Sequence, residues 1–204
     1  MNMQIQAHDL LWGMTSQMLP DDVPDWVNDV ITARQPVVVR RAVTDPKRVA
    51  VGIRGQYRYQ RFATEMPKNA IIRQIKPENL RLTDLALFPH LQQILQPLHD
   101  TMQKFNLPWG YTGSVGFELA TGMRTVTENS DIDLLIRTEQ PLVKSEASYM
   151  LKILETLGLK TDVQLQTPLG GIALKEWAGT TGKVLLKRHD KAVLVENPWN
   201  ERRE

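Results

Sequence analysis

Apolar residues along this chain recur at two spacings, one typical of helices and one typical of strands. Spacings of three and four residues predict four helices, and the third contains Pro97, which is expected to kink or split it. These helices cover residues 12–19, 26–31, 90–105 and 143–157. Gly158 follows the last of them at the position where glycine commonly ends a helix.

Short apolar or alternating runs between these helices predict strands. The predicted strands are residues 36–41, 47–53, 109–112, 132–136, 162–166, 172–174, 183–187 and 192–195, with a further apolar element at 70–72. We expect an α+β fold, and its details rest on the family resemblance described below more than on this periodicity. We place a domain boundary near residue 80, giving a small N-terminal α+β domain (1–80) and a larger C-terminal domain (81–204).

Composition narrows the class of protein. Of 204 residues, 42% are hydrophobic and 24% are charged, which excludes disordered, collagen-like and coiled-coil chains. No apolar run approaches the roughly 18 residues that span a bilayer, so no membrane association is expected. The chain has no cysteine, which excludes disulfides, thiolate metal sites and thiol nucleophiles and fits a cytoplasmic location.

Charge is distributed unevenly along the N-terminal half. Residues 1–33 contain five Asp and no Lys or Arg, whereas residues 34–76 contain eleven Lys or Arg and two acidic residues. If the basic residues share a surface, its field would attract nucleic acid, a phosphorylated cofactor or an acidic protein. The alternative is a spread-out, solvated basic surface.

The C-terminal half contains a pair of carboxylates at the start of a predicted buried strand. Asp131 and Asp133 precede Leu134-Leu135-Ile136, and alternate residues of a strand share one face. Two carboxylates so close together repel each other unless a cation lies between them, and oxygen ligands favour Mg²⁺ or Mn²⁺. Taken alone, the pair is also typical of a polar turn at a strand end.

Three further features favour phosphate chemistry. Gly113 and Ser114 end a predicted strand, where backbone N–H groups and a hydroxyl can hold phosphate oxygens. Arg124 is a candidate phosphate ligand in the same stretch. Asp162, on a later predicted strand, supplies a third carboxylate, a set that suits two-metal phosphoryl or nucleotidyl transfer.

The chain contains Gly-Ser, then Asp-Ile-Asp, and then an Asp on a later predicted strand. This order of residues resembles the nucleotidyltransferase superfamily of the polymerase-beta type. More specifically, the sequence resembles the phosphoribosyl-dephospho-CoA transferase of malonate decarboxylase, also called its holo-acyl-carrier-protein synthase. The similar stretches are residues 113–118, 121–122, 129–135, 162–168, 171–177 and 197–199, with 8–9, 36–41, 51–55 and 61–62 in the N-terminal half.

The resemblance implies a mixed sheet that carries the three acids, with helices on one side. It implies transfer of the phosphoribosyl-dephospho-CoA group from 2′-(5″-triphosphoribosyl)-3′-dephospho-CoA to a serine of the acyl-carrier subunit, with release of pyrophosphate. Asp131, Asp133 and Asp162 would be catalytic and hold Mg²⁺ or Mn²⁺, with Glu176 as the alternative third acid. Gly113, Ser114, Arg124, Arg40 and Arg54 would bind the substrate, although the basic segment could instead meet the carrier.

Two other functions stay open at this point. A generic nucleotidyltransferase that uses ATP or CTP needs the same acids, and only the family-specific stretches argue against it. A non-catalytic basic binding module would use the acids structurally. The expected partners are the carrier subunit and the triphosphoribosyl substrate, with neither nucleic acid nor membrane.

Overall fold

The computed structural model describes residues 4–200. The chain divides into two compact units between Lys76 and Pro77, four residues before the boundary drawn from the sequence. Within residues 4–200 no helix is long and apolar enough to cross a membrane.

In the N-terminal unit, residues 4–76 form a five-stranded antiparallel sheet with one α-helix. In chain order its elements are β1 (Leu10–Trp12), α1 (Asp25–Thr32), β2 (Val37–Val39), β3 (Arg48–Arg54), β4 (Arg61–Pro67) and β5 (Arg73–Ile75), and the strands lie in the order β4-β3-β2-β1-β5. Val27 and Ile31 of α1 are buried in one core with alternate residues of β3, namely Val49, Val51 and Ile53. The other face of β3 carries Arg48, Ala50, Gly52 and Arg54.

Two predicted elements of this unit are wrong. The helix predicted over residues 12–19 is the end of β1 followed by a single 3-10 turn at Ser16–Met18. Gly13, at φ +119°, breaks any helix there, and it lies so close to the Ala70 carbonyl that a Cβ would be 2.0 Å from the oxygen. The apolar element at 70–72 is also misplaced, because pairing with β1 begins at Arg73. Strand β4 was not predicted.

The C-terminal unit is a six-stranded mixed sheet with helices, which confirms the predicted α+β class. Its elements are α2 (Pro77–Leu80), α3 (Pro89–Gln103), β6 (Trp109–Tyr111), α4 (Gly113–Thr121), β7 (Ile132–Arg137), α5 (Lys144–Glu155), β8 (Thr161–Thr167), β9 (Gly170–Ala173), α6 (Leu174–Gly179), β10 (Val184–Lys187) and β11 (Ala192–Val195). The strands lie in chain order, β6 to β11, across the sheet. Among the strand pairs of residues 77–200, only β7–β8 is parallel.

The crossover from β7 to β8 through α5 explains the parallel pair. Leu134 and Ile136 of β7 and Val163 and Leu165 of β8 are buried and share a face, by the alternation of strand side chains. Helix α5 buries Ala147, Met150 and Leu154 and packs against α3 and α6. The chain turns back after α5 at Gly158, whose φ is +67°.

Three details of this unit differ from the sequence-based prediction. Helix α3 continues through Pro97 as one element. Helix α4 was not predicted, because it is apolar nearly all round and contains two glycines, so it shows no helical periodicity. The strand predicted at 172–174 ends at Ala173, and Leu174 begins α6.

Candidate active site

Two of the three predicted carboxylates are brought together by the parallel strand pair. Asp133 of β7 and Asp162 of β8 are direct cross-strand partners. Opposite residues in neighbouring strands lie about 5 Å apart at their Cα atoms and project from the same face of the sheet. Asp133 is half-buried, and Asp162 and Asp131 are exposed. Asp131 comes immediately before β7, two residues from Asp133.

Gly113 lies directly against the Asp133 carboxylate. A Cβ at Gly113 would lie 1.7 Å from Asp133 Oδ2 and 2.6 Å from its Cγ, so a larger residue would displace this carboxylate. Gly113 also has φ +58°, in the left-handed region where glycine is favoured. The Thr112 N–H donates to the Asp133 backbone carbonyl at 2.9 Å, which ties this turn to β7.

Gly113 and Ser114 form the first turn of helix α4 rather than a loop. The first N–H groups of a helix have no partner within the helix, and the helix dipole places partial positive charge there. Such a terminus binds phosphate readily. The structure therefore puts an anion-favouring helix start and a cation-favouring carboxylate, Asp133, side by side.

The loop that carries Arg124 is folded back onto helix α4. Thr125 Oγ1 donates to the Ser114 carbonyl at 2.9 Å, and the Thr125 and Val126 N–H groups both donate to Glu118 Oε2 at 2.8 Å. These bonds hold the residue next to Arg124 against the first turn of α4. Arg124 itself is exposed. An exposed guanidinium beside a helix start is suited to binding a phosphate.

Glu118 anchors that loop from a fully buried position. Its side chain is 1% exposed, and its other oxygen, Oε1, contacts His90 Nε2 on α3. Burial alone raises the pKa of Glu118, but hydrogen bonds from Val126, Thr125 and His90 more than offset this, so the pKa lies below its ordinary value. Glu118 is thus held as a carboxylate that organises the Arg124 loop.

Glu118 was missed by the sequence analysis. Its one sequence signal is an acidic residue inside an otherwise apolar stretch, Val115–Leu119, and that signal does not reveal its partners. A buried carboxylate must be hydrogen-bonded, and here the donors come from a loop seven and eight residues further along the chain.

Glu176, the alternative third acid, has a different role. Its Oε1 accepts a hydrogen bond from the Leu185 N–H at 2.7 Å, joining α6 to strand β10. It lies on helix α6 and is not part of the β7–β8 strand pair. The cross-strand geometry therefore favours Asp162 for the third position.

Arg40 and Arg54, also predicted to bind the substrate, belong to the N-terminal unit. Arg54 lies opposite Arg61 in the β3–β4 pair. The aliphatic part of Arg40 packs over Gly52, with its Cδ 3.1 Å from the position of a Cβ at that glycine. All three side chains are on the face of the sheet opposite the core.

The carboxylates fit a magnesium or manganese ion by their chemistry. Among residues 4–200, no three His, Asp or Glu side chains already form a metal-binding cluster. Mg²⁺ is commonly held by one or two carboxylates, with substrate phosphates and water completing six ligands. The opposed pair Asp133 and Asp162 beside the α4 start matches that kind of shared site.

Comparisons with known proteins cover both units of the chain. Residues 6–77 match the model of the phosphoribosyl-dephospho-CoA transferase MdcG N-terminal domain, and residues 79–198 match that of the MdcG C-terminal domain. A phosphoribosyl-dephospho-CoA transferase of Pseudomonas fluorescens (strain Pf0-1) is 45% identical over 95% of this chain and 94% of its own. One from Pseudomonas putida (strain W619) is 47% identical over 96% and 95%.

A third relative with the same name, from Azotobacter vinelandii (strain DJ), is 43% identical over 96% of this chain and 95% of its own. No solved structure gives a significant match. The matches to both domain models and the high identity over almost the full length show that this chain is an enzyme of the transferase class and belongs to the phosphoribosyl-dephospho-CoA transferase family.

Proposed function

We propose that this enzyme transfers the phosphoribosyl-dephospho-CoA group from 2′-(5″-triphosphoribosyl)-3′-dephospho-CoA to a serine of the acyl-carrier subunit of malonate decarboxylase. The serine oxygen attacks the phosphorus attached to the ribose 5″ oxygen. A phosphodiester forms, the bond to the next phosphate breaks, pyrophosphate leaves and the serine proton is released. We also propose that the enzyme is cytoplasmic, because a chain without cysteine fits the reducing cytoplasm.

The observation that supports the proposal most directly is the Asp133–Asp162 pair next to the start of α4. A triphosphate carries several negative charges, and it needs both donors and cations to be held close to carboxylates. The N–H groups at the α4 start and the Ser114 hydroxyl would supply donors to the triphosphate, and Arg124 would supply a fixed positive charge. Glu118 would keep Arg124 in position through the Thr125 and Val126 bonds.

Asp131, Asp133 and Asp162 would hold Mg²⁺ or Mn²⁺. When bound, the metal would offset the charge that develops on the leaving pyrophosphate and lower the pKa of the attacking hydroxyl. Asp162 is exposed and has a second possible role as the general base that takes the serine proton. Gly113 would let the Asp133 carboxylate approach the helix start closely.

A generic nucleotidyltransferase that uses ATP or CTP would need the same carboxylates and helix start. The two functions are separated by offering the enzyme each donor. The purified chain is incubated with unmodified carrier subunit, Mg²⁺ and either the triphosphoribosyl precursor or labelled ATP or CTP. We expect the mass of phosphoribosyl-dephospho-CoA to be added to the carrier serine, whereas nucleotide addition would contradict the proposal.

The catalytic assignment is tested by Asp131→Ala and Asp133→Ala in the same assay. We expect either change to abolish labelling of the carrier while the circular dichroism spectrum is unchanged. Glu139→Ala is the matched control, because Glu139 is an exposed acid just beyond the other end of β7. Full labelling by Asp131→Ala or Asp133→Ala would exclude the metal-binding role.

A further inference from the structure

The hairpin that joins β3 to β4 presents a concentrated positive charge. We call residues 54–61 the basic tip: it contains Arg54, Arg58 and Arg61 and no acidic residue. Arg54 and Arg61 are direct cross-strand partners at the base of the hairpin, and Arg58 lies in the turn. Arg58 is exposed, so the turn carries a positive charge to which a negatively charged partner would be attracted.

The basic tip has a defined shape. The Gly55 N–H donates to the Gln60 carbonyl at 3.1 Å, and the Tyr57 N–H donates to Gln60 Oε1 at 3.0 Å. A Cβ at Gly55 would lie 2.5 Å from Gln60 Oε1, so this side chain fills the inside of the turn. A turn fixed in this way loses little conformational freedom when a partner binds.

Two aromatic rings are displayed on the same turn. Tyr57 and Tyr59 stack with their centroids 5.5 Å apart and their planes within 4°, yet they are 53% and 80% exposed. Tyr and Arg, together with Trp, are enriched in the energetically important parts of protein interfaces. An exposed tyrosine pair surrounded by arginines is therefore typical of a surface that a protein partner covers.

The outer face of the sheet extends this surface beside the hairpin. Arg40 is exposed, and its aliphatic part lies over Gly52, next to the Arg54–Arg61 pair. Ala63 is the cross-strand partner of Gly52 and is also exposed. The Arg40 side chain therefore covers Gly52, while the small side chain of Ala63 beside it leaves this face open to a partner.

We propose that the basic tip, together with Arg40, is the docking surface for an acidic face of the carrier protein. This inference rests on the proposed function, because the carrier is the macromolecular substrate there. An exposed turn with exposed rings suits a protein surface better than a small phosphorylated molecule, which is usually held in a concave pocket. Complementary charge would steer the carrier to the enzyme and fix its orientation.

The test compares the two substrates of one reaction. Arg58→Glu and Tyr59→Ala are made at exposed positions of the turn, with matched controls of the same chemistry on α5, Lys152→Glu and Tyr149→Ala. We expect each tip variant to raise the KM for the carrier about fivefold to tenfold. This is the effect expected when one energetically important interface residue is lost. The KM for the triphosphoribosyl substrate, kcat and both controls should be unchanged.

Direct binding of unmodified carrier to each variant, measured by calorimetry without the second substrate, separates docking from catalysis. Loss of affinity in Arg58→Glu but not in Lys152→Glu supports the proposal, even if the native chain transfers no group and the proposed function fails. An unchanged carrier KM and affinity would overturn it. A rise in the KM for the triphosphoribosyl substrate alone would assign the surface to that substrate's phosphates and would also overturn the proposal. Binding of RNA in place of the carrier would overturn the proposal as well.

Discussion

Asp162 lies directly opposite Asp133 across the parallel pair β7–β8, whereas Glu176 accepts a hydrogen bond from the Leu185 N–H. We therefore predict opposite effects for the two acids. Asp162→Asn should lower the transfer rate by about 100-fold or more, because a metal ligand or general base is lost. Its thermal stability should stay close to that of the native chain, since Asp162 is exposed.

Glu176→Gln is the matched comparison for that experiment. It should keep the transfer rate within about threefold but lower the free energy of unfolding by about 1–2 kcal/mol, because a charged acceptor is replaced by a neutral one. Steady-state kinetics and urea unfolding of both variants give the answer. A slow Glu176→Gln enzyme with normal stability would move the third catalytic position to Glu176.

Gly113→Ala should damage both stability and activity. The left-handed backbone at φ +58° costs roughly 1–2 kcal/mol for a residue with a Cβ, and the new methyl group would also displace the Asp133 carboxylate. Gly122→Ala is the control, since Gly122 has φ +74° but has nothing within 4 Å of a Cβ. Both variants should lose stability in urea unfolding, and only Gly113→Ala should lose transfer activity.

Binding of Mn²⁺ should depend on Asp133 and on the triphosphate. Because the described residues hold no complete cluster of three ligands, we expect weak binding to the free enzyme and tighter binding when substrate phosphates contribute ligands. Electron paramagnetic resonance of free Mn²⁺ measures this directly. Asp133→Asn should abolish the increase in affinity, Glu139→Gln should leave it unchanged, and equal affinity in Asp133→Asn would contradict the metal assignment.

Glu118 should make stability depend on pH. Its pKa is lower in the folded chain than its ordinary 4.5, so the carboxylate stabilises the fold above that pH. This stabilisation disappears as the pH falls through the lowered value. The unfolding free energy of the native chain should therefore exceed that of Glu118→Gln by about 1–2 kcal/mol at pH 7, and the difference should shrink progressively as the pH is lowered below 4.5.

The activity of Glu118→Gln distinguishes positioning of the Arg124 loop from stability alone. If Glu118 holds Arg124 near the triphosphate, Glu118→Gln and Arg124→Gln should both raise the KM for that substrate at temperatures where each is fully folded. Arg124→Gln should leave the unfolding curve unchanged, since Arg124 is exposed. A Glu118→Gln enzyme with native KM would show that the carboxylate only stabilises the fold.

The position of Asp131 and Asp133 at the start of a buried strand could be predicted because its signal is local. Asp131 and Asp133 stand in front of a run of three apolar residues, which is readable from the sequence alone. That Asp162 pairs with Asp133 is a matter of strand register, which depends on how α5 closes the crossover and leaves no local mark. A shift of one residue would turn Asp162 to the opposite face.

Buried and compact elements were the hardest to predict. Helix α4 is buried on several sides, so the polar face that identifies a surface helix is missing. Strand β4 is defined by its long pairing with β3 rather than by its own composition. Glu118 shows the same limit, because its role depends on amide groups of a loop whose path is set by tertiary structure.

Strands β7 and β8 lie inside the sheet, and this position limits their local opening. Both strands have neighbours on each side, whereas β11 is an edge strand and four residues long. Edge elements open locally at lower free energy than central ones. Amide hydrogens of β7 and β8 should therefore be among the last to exchange with deuterium, and those of β11 among the first. Asp133 and Asp162 would then keep their spacing while the β11 edge of the sheet opens locally.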